Sequence, residues 1–211
     1  MTDEGLDRDT VMADYSKLKV GVLALQGDFK RHTHQLGQLG SRTLEVRTAS
    51  HLEEIDGLII PGGESTTMDI LIDRFRLRQP LIEFCQIKPV WGTCAGMIML
   101  AKNIEDNQAN VSPLGLMDID VVRTGYGRQV HSFEQLLMTK LNGEDITLRA
   151  TFIRAPMITR VGKSVQILIE YNGSPVLVSE GLIMASSFHT ELDNDTTLLE
   201  FFMGRFLLSQ K

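Results

Sequence analysis

Up to about Ala101 the apolar residues fall into short continuous blocks separated by longer amphipathic stretches. Lys19-Val20-Gly21-Val22-Leu23-Ala24-Leu25 has the length and continuity of a buried strand. Gln26-Gly27 turns it into an amphipathic helix that runs through Leu39. Leu44-Glu45-Val46-Arg47 predicts a second strand, and Gly57-Leu58-Ile59-Ile60 a third that stops at Pro61-Gly62-Gly63. Helical spacing follows over residues 66–75 and 77–87, and Pro89-Val90-Trp91 leads as a strand into Gly92-Thr93-Cys94-Ala95-Gly96 and the helix-like Met97-Ile98-Met99-Leu100-Ala101. Strands alternating with helices predict an α/β fold, with a central, mostly parallel sheet covered by helices on both faces. Ligands of such sheets gather at the carboxyl ends of the strands, where Gln26, Gly62-Gly63 and Cys94 all fall.

Beyond residue 110 the pattern changes to successive strands. Ile119-Asp120-Val121-Val122-Arg123, Ala150-Thr151-Phe152-Ile153, Val165-Gln166-Ile167-Leu168-Ile169, Pro175-Val176-Leu177-Val178 and Leu182-Ile183-Met184-Ala185 are the candidates. Asn172-Gly173 predicts a hairpin turn between the third and fourth of these. A closing helix is expected over residues 195–209. Residues 1–16 carry Asp3, Glu4, Asp7, Asp9 and Asp14 against Arg8, with little apolar periodicity, and read as a flexible acidic extension to a domain spanning 17–211.

Composition narrows the class. A chain of 211 residues that is 43% hydrophobic buries a substantial core as one domain. The net charge of -6, without a basic cluster, argues against a nucleic-acid partner. No apolar run approaches the roughly 18–20 residues that span a bilayer, and the N-terminus lacks the order of a secretory signal, so no membrane partner is expected. Two cysteines, Cys85 and Cys94, make neither a disulfide framework nor a zinc site, so no metal is expected and the cytoplasm is the expected location. Cys85, in the helix-like Leu81-Ile82-Glu83-Phe84-Cys85, reads as a packing residue.

Cys94 reads differently. A strand that turns sharply into a helix around one nucleophile needs small neighbours, which Gly92 and Gly96 supply. Backbone N–H groups at the helix start favour a thiolate over a thiol. Far along the chain, His189-Thr190-Glu191 places an imidazole and a carboxylate on the same side of an extended segment. Glu191 can then fix one imidazole nitrogen while the other takes a proton from Cys94. Alone, either motif has a duller reading, as an ordinary tight turn or as a surface histidine beside an exposed acid.

Taken together, the motifs resemble the glutaminase subunits of pyridoxal 5′-phosphate synthase, a family within the class I (triad) glutamine amidotransferases. The matching segments are Gly21-Val22-Leu23-Ala24-Leu25-Gln26-Gly27, Pro61-Gly62-Gly63-Glu64-Ser65-Thr66-Thr67, Gly92-Thr93-Cys94-Ala95-Gly96, Gly127-Arg128-Gln129, Phe152-Ile153-Arg154-Ala155-Pro156 and Ser187-Phe188-His189-Thr190-Glu191-Leu192. Thr190 departs from the proline usual between the histidine and the glutamate, and Thr124-Gly125-Tyr126 departs from the usual loop before Gly127. The resemblance implies a flavodoxin-like sheet with extra antiparallel strands in the C-terminal half.

It also implies hydrolysis of L-glutamine by a catalytic triad of Cys94, His189 and Glu191 through a γ-glutamyl thioester. Oxyanion donors would come from Ala95 and from Gly62 or Gly63, and a glutamine pocket from Gly63, Glu64, Ser65, Arg128, Ile153 and Arg154. Arg128 suits the substrate α-carboxylate, though it also reads as a surface cation, Glu64 as a helix N-terminal acid and Arg154 as a structural ion-pair partner. The implied partner is a synthase subunit, a (β/α)8 barrel that consumes the ammonia, with Gln26 near the contact. No cofactor is implied, because pyridoxal phosphate would be the product of the complex. The competing readings are the glutaminase of another pathway, such as histidine biosynthesis, and a catalytically silent subunit that regulates the synthase.

Overall fold

A computed structural model of the chain describes residues 13–125, 132–193 and 195–210. In chain order the first part runs β1 (Lys19–Leu23), α1 (Phe29–Gln38), β2 (Arg42–Val46), α2 (Ala49–Glu53), β3 (Gly57–Ile60), α3 (Ser65–Arg74), α4 (Arg78–Ile87), β4 (Val90–Thr93) and α5 (Ala95–Leu100). Then come β5 (Ala101–Ile104), β6 (Met117–Val122), β7 (Phe133–Leu141), β8 (Glu144–Phe152), β9 (Met157–Val161), β10 (Gln166–Tyr171), β11 (Ser174–Glu180), β12 (Ile183–Ser186) and α6 (Thr197–Phe202).

Among the described residues the central sheet has seven strands in the order β10-β11-β12-β4-β3-β1-β2. From β12 to β2 all neighbours are parallel, and β11 and β10 add an antiparallel edge. Central strands β3, β4 and β12 are buried throughout, because helices cover both faces. One face packs Leu58, Ile60, Met68, Leu81 and Met97 together, and the other packs Val20, Val22, Trp91, Met184 and Phe202. The mostly parallel, helix-covered sheet expected from the pattern is the one observed.

The turn at Asn172-Gly173 has φ of 50° and 75°, as a two-residue hairpin between β10 and β11 requires. The expected boundaries shift elsewhere. Ala101 ends the helix and opens β5, so the helix-like run stops at Leu100. The expected strand at 150–153 is the end of a longer one, β8, which pairs with β7 along its length as a separate ribbon. In β7 the outward positions Leu136 and Met138 are apolar like the inward Leu137 and Leu141, so alternation is blurred in the sequence. The expected closing helix is α6 continued by a wider π-helical turn over Met203–Leu207 and a tighter one over Leu208–Gln210. Tyr15 is already buried against the second of the two cores, and no helix of the described residues is long and apolar enough to cross a membrane.

Candidate active site

Four parallel strands deliver the site. The segments after β1, β3, β4 and β12 carry Gln26, Gly62-Gly63, Cys94 and His189 respectively, all at the carboxyl edge of the sheet. Cys94 sits between β4 and α5 with φ 49° and ψ -105°, a conformation that a residue with a Cβ adopts only under constraint. Its N–H donates to Ser186 O of β12 at 2.8 Å, which ties the elbow to the strand that leads to His189. A Cβ on Gly96 would strike the Ile60 carbonyl, so this turn fits between β3 and β4 only with glycine there.

His189 is held by its backbone as well as its ring. Its N–H donates to Thr151 O at 2.9 Å and its carbonyl accepts from Thr151 N–H at 3.0 Å, a lone antiparallel bridge to the end of β8. Phe188 beside it packs on Phe152 with ring centroids 5.6 Å apart. The ring interacts with Cys94 on one side, and on the other Nδ1 lies 2.5 Å from Glu191 Oε1. Burial works against a charged imidazole, but the interactions with Cys94 and Glu191 prevail and raise its pKa to about 10. Burial likewise opposes charge on Glu191, yet the facing His32 and the bond from His189 hold that carboxyl below the usual carboxylate range. Imidazolium and carboxylate are therefore the forms this pair holds at neutral pH. Cys85 is buried in α4 and its thiol is pushed up to about 12 by desolvation, which makes it an inert packing residue.

In front of Cys94 lies a cavity of about 610 Å³, bounded by Gly63, Glu64, Ser65, Ile98, Asp106, Arg123, Thr124, Ile153 and Arg154. That volume is ordinary for a small-molecule site. Ala95 opens α5, so its N–H belongs to the first turn, where helix geometry supplies no acceptor. Behind the thiol, a Cβ on Gly62 would collide with the His189 ring. The Gly62 carbonyl turns to the Asp28 N–H at 3.4 Å, and peptide planarity points the Gly63 N–H the opposite way. Gln26 lies over this peptide: its Oε1 accepts from Glu64 N–H at 3.1 Å, and a Cβ on Gly63 would come within 2.5 Å of it.

The pocket residues expected from the sequence divide. Gly63, Glu64, Ser65, Ile153 and Arg154 line the cavity; Arg128 lies outside the described residues. The Glu64 carboxylate caps α3, accepting from Thr66 N–H at 3.0 Å and Thr67 N–H at 2.7 Å, so its duller reading describes the side chain well. Arg154 has φ 45° and no ion-pair partner among the described residues. Arg123 is marked in the sequence only as the end of a strand. It follows β6, reaches Glu64 Oε1 at 3.1 Å and Thr66 Oγ1 at 3.2 Å, and its buried Nε has no partner among the described residues. His32 and Gln35 of α1 carry no such signal either: the helix is amphipathic, but two polar residues on its buried face, beside Leu36, do not reveal in sequence what they meet.

Comparison with known proteins agrees with this geometry. The model of the SNO glutamine amidotransferase family matches residues 22–208. The pyridoxal 5′-phosphate synthase subunit PdxT of Dehalococcoides mccartyi is 48% identical over 189 residues, covering 88% of this chain and 96% of that protein. PdxT of Thermotoga neapolitana is 46% identical over 187 residues, covering 88% and 98%. A solved glutamine amidotransferase superposes with a TM-score of 0.81 at 41% identity, over 88% of this chain and 97% of that one. At 15% identity, the PurLQS structure from Thermotoga maritima (TM-score 0.65, covering 92% and 99%) shares the fold. With the family model spanning nearly all of the folded chain, this protein belongs to the SNO glutamine amidotransferase family.

Proposed function

We propose that the chain is the glutaminase subunit of a pyridoxal 5′-phosphate synthase, hydrolysing L-glutamine to L-glutamate and ammonia for vitamin B6 biosynthesis. The observation that carries this reading is the position of His189 between Cys94, with which its ring interacts, and Glu191, whose Oε1 its Nδ1 meets at 2.5 Å, beside a cavity with ample room for an amino acid.

The Cys94 thiolate, paired with the His189 imidazolium, attacks the side-chain carboxamide carbon of glutamine. The developing oxyanion accepts from Ala95 N–H and from a backbone N–H of Gly62 or Gly63. As the C–N bond breaks, His189 gives its proton to the departing nitrogen, leaving a γ-glutamyl thioester. Water, deprotonated by His189, then releases glutamate and restores the thiolate. Glu191 keeps the imidazole aligned and its positive charge compensated.

For the substrate α-carboxylate, Arg123 joins Arg128 as a candidate, because its Nε is buried at the cavity wall without a partner among the described residues. Gly63, Glu64, Ser65, Ile153 and Arg154 complete the pocket. Ammonia passes to a (β/α)8 synthase subunit, and pyridoxal phosphate is that subunit's product. Residues 17–211 constitute the glutaminase domain in this reading, with 1–16 as an acidic extension.

Gln26 over the Gly63 peptide suggests how the partner governs the rate: contact there sets which way the Gly62–Gly63 peptide points. Glutamate release by the purified chain should be slow at saturating glutamine and rise about ten- to a thousandfold on titration with synthase, the range tied to one oxyanion donor. A full rate without synthase, unaltered by its addition, would point to a free-standing amidohydrolase. No activity at any synthase concentration, with binding intact, would favour the silent regulatory subunit.

A further inference from the structure

Helix α1 buries a histidine to which the chemistry above assigns no task. His32 is wholly enclosed, its ring set edge-on to Trp91 at 5.8 Å and 79°. Its Nε2 lies 3.6 Å from Glu191 Oε1, the same oxygen that His189 Nδ1 meets at 2.5 Å. Thr93 Oγ1, next to Cys94, is 3.4 Å from that nitrogen, and Nδ1 has no partner among the described residues.

These contacts choose the protonation state. A proton on Nδ1 would leave a buried N–H without an acceptor and turn the Nε2 lone pair towards a carboxylate, both unfavourable. A proton on Nε2 faces its dipole to Glu191 and Thr93 and leaves only an unpaired acceptor, the lesser loss. The doubly protonated ring keeps the orphaned Nδ1–H and adds the desolvation of a cation, so His32 stays neutral; burial lowers its pKa against the pull of Glu191, with His189 and Asp28 the other charged groups that bear on it.

The same helix grips the loop that carries Glu191. Gln35, one turn beyond His32 on the buried face, donates from Nε2 to the carbonyls of Thr190, Asp193 and Asp195 at 3.1, 3.2 and 3.0 Å. Glu191 Oε2 accepts the Thr190 N–H at 3.1 Å, a donor that the proline usual at this position in the resembling family would lack. At its other end α1 begins just after Gln26 and Asp28, which touch the Gly62–Gly63 loop.

We infer that His32 is a positioning residue, presenting Nε2–H to Glu191 so that the carboxylate stays aligned on His189, and thereby coupling helix α1 to the Cys94 centre. The inference rests on the triad reading given above. Glutamine hydrolysis is measured in the presence of synthase for His32→Leu and His32→Gln. The leucine variant should lose roughly ten- to a hundredfold in kcat, the value of a hydrogen-bonding group facing a buried charge, with KM for glutamine unchanged. The glutamine variant, whose amide N–H can stand near the Nε2 position, should recover most of that loss. Nitrogen-15 NMR of the unmodified protein should show His32 neutral with its proton on Nε2.

Wild-type kcat in His32→Leu, equal losses in both variants, or a proton on Nδ1 would each overturn the inference, and the NMR result holds even if a variant fails to fold. Cys94→Ala, assayed alongside, separates the two readings. If it is inactive while His32→Leu keeps full kcat, the role of His32 alone falls; if it is active, the triad falls and this inference with it.

Discussion

The part of the chain before Ala101 and the part after Met117 build the site by different routes. Before Ala101 every sheet strand is parallel, and β1, β3 and β4 each end in a short loop that reaches the site directly. After Met117 most strands are antiparallel, and among the sheet strands of that region β12 is the one that runs parallel to β4. His189 and Glu191 follow β12. Polar chemistry thus follows strand direction more than chain position, because parallel strands put their carboxyl ends, and the loops leaving them, on one edge. The β7–β8 ribbon shows the contrast within itself. Its base bridges His189 through Thr151, whereas its length carries the exposed Leu136 and Met138.

The sharpest test of this contrast compares the two cysteines. Cys94→Ala should reduce glutamate formation to background, a loss on the order of 10⁴-fold or more, with the fold and synthase binding retained. Cys85→Ala should leave kcat intact, since that thiol belongs to the helical packing layer. Hydrolysis lost on changing Cys85 with Cys94 present would reassign the nucleophile.

A smaller effect separates the arginines. Arg123→Ala should raise KM for glutamine roughly ten- to a hundredfold, the value of a charge-assisted contact, with kcat less affected. A rise confined to Arg128→Ala would assign the carboxylate contact to Arg128 instead.

The carboxylate and imidazole should also mark the stability curve. Glu191 is held below its ordinary 4.5, so its contribution is full above about 4.5 and is lost as pH falls below that range. His189 is raised from 6.5 to about 10, so its contribution is full below about 6.5 and disappears as pH rises towards 10. Melting temperature against pH should fall on both sides, and Glu191→Gln should flatten the acid side; an unchanged acid side would detach Glu191 from the pair. Smallest of all, Met138→Ser on the ribbon should change stability by less than about 0.5 kcal/mol and leave kcat alone, because an exposed side chain loses little on replacement. A loss of activity there would extend the site along the ribbon.

Local pattern by itself determined the parallel half of the sheet, the elbow at Cys94 and the hairpin at Asn172-Gly173. Buried parallel strands are continuous apolar runs, and turns need particular residues, so both are written in contiguous sequence. It did not determine α2, too short over Ala49–Glu53 to display a helical period, nor β7, whose outward Leu136 and Met138 hide the alternation. His189 and Glu191 were visible as a pair because their spacing is local. Arg123, His32 and Gln35 were not, since an arginine ending a strand and polar residues in a helix acquire meaning only from what they face. Tertiary structure alone decided that Arg123 stands at the cavity wall beside Glu64, and that α1 turns His32 and Gln35 towards the Glu191 loop. Those contacts join residues 59 to 160 positions apart, and only the packing of helices on the sheet brings such distant groups within reach.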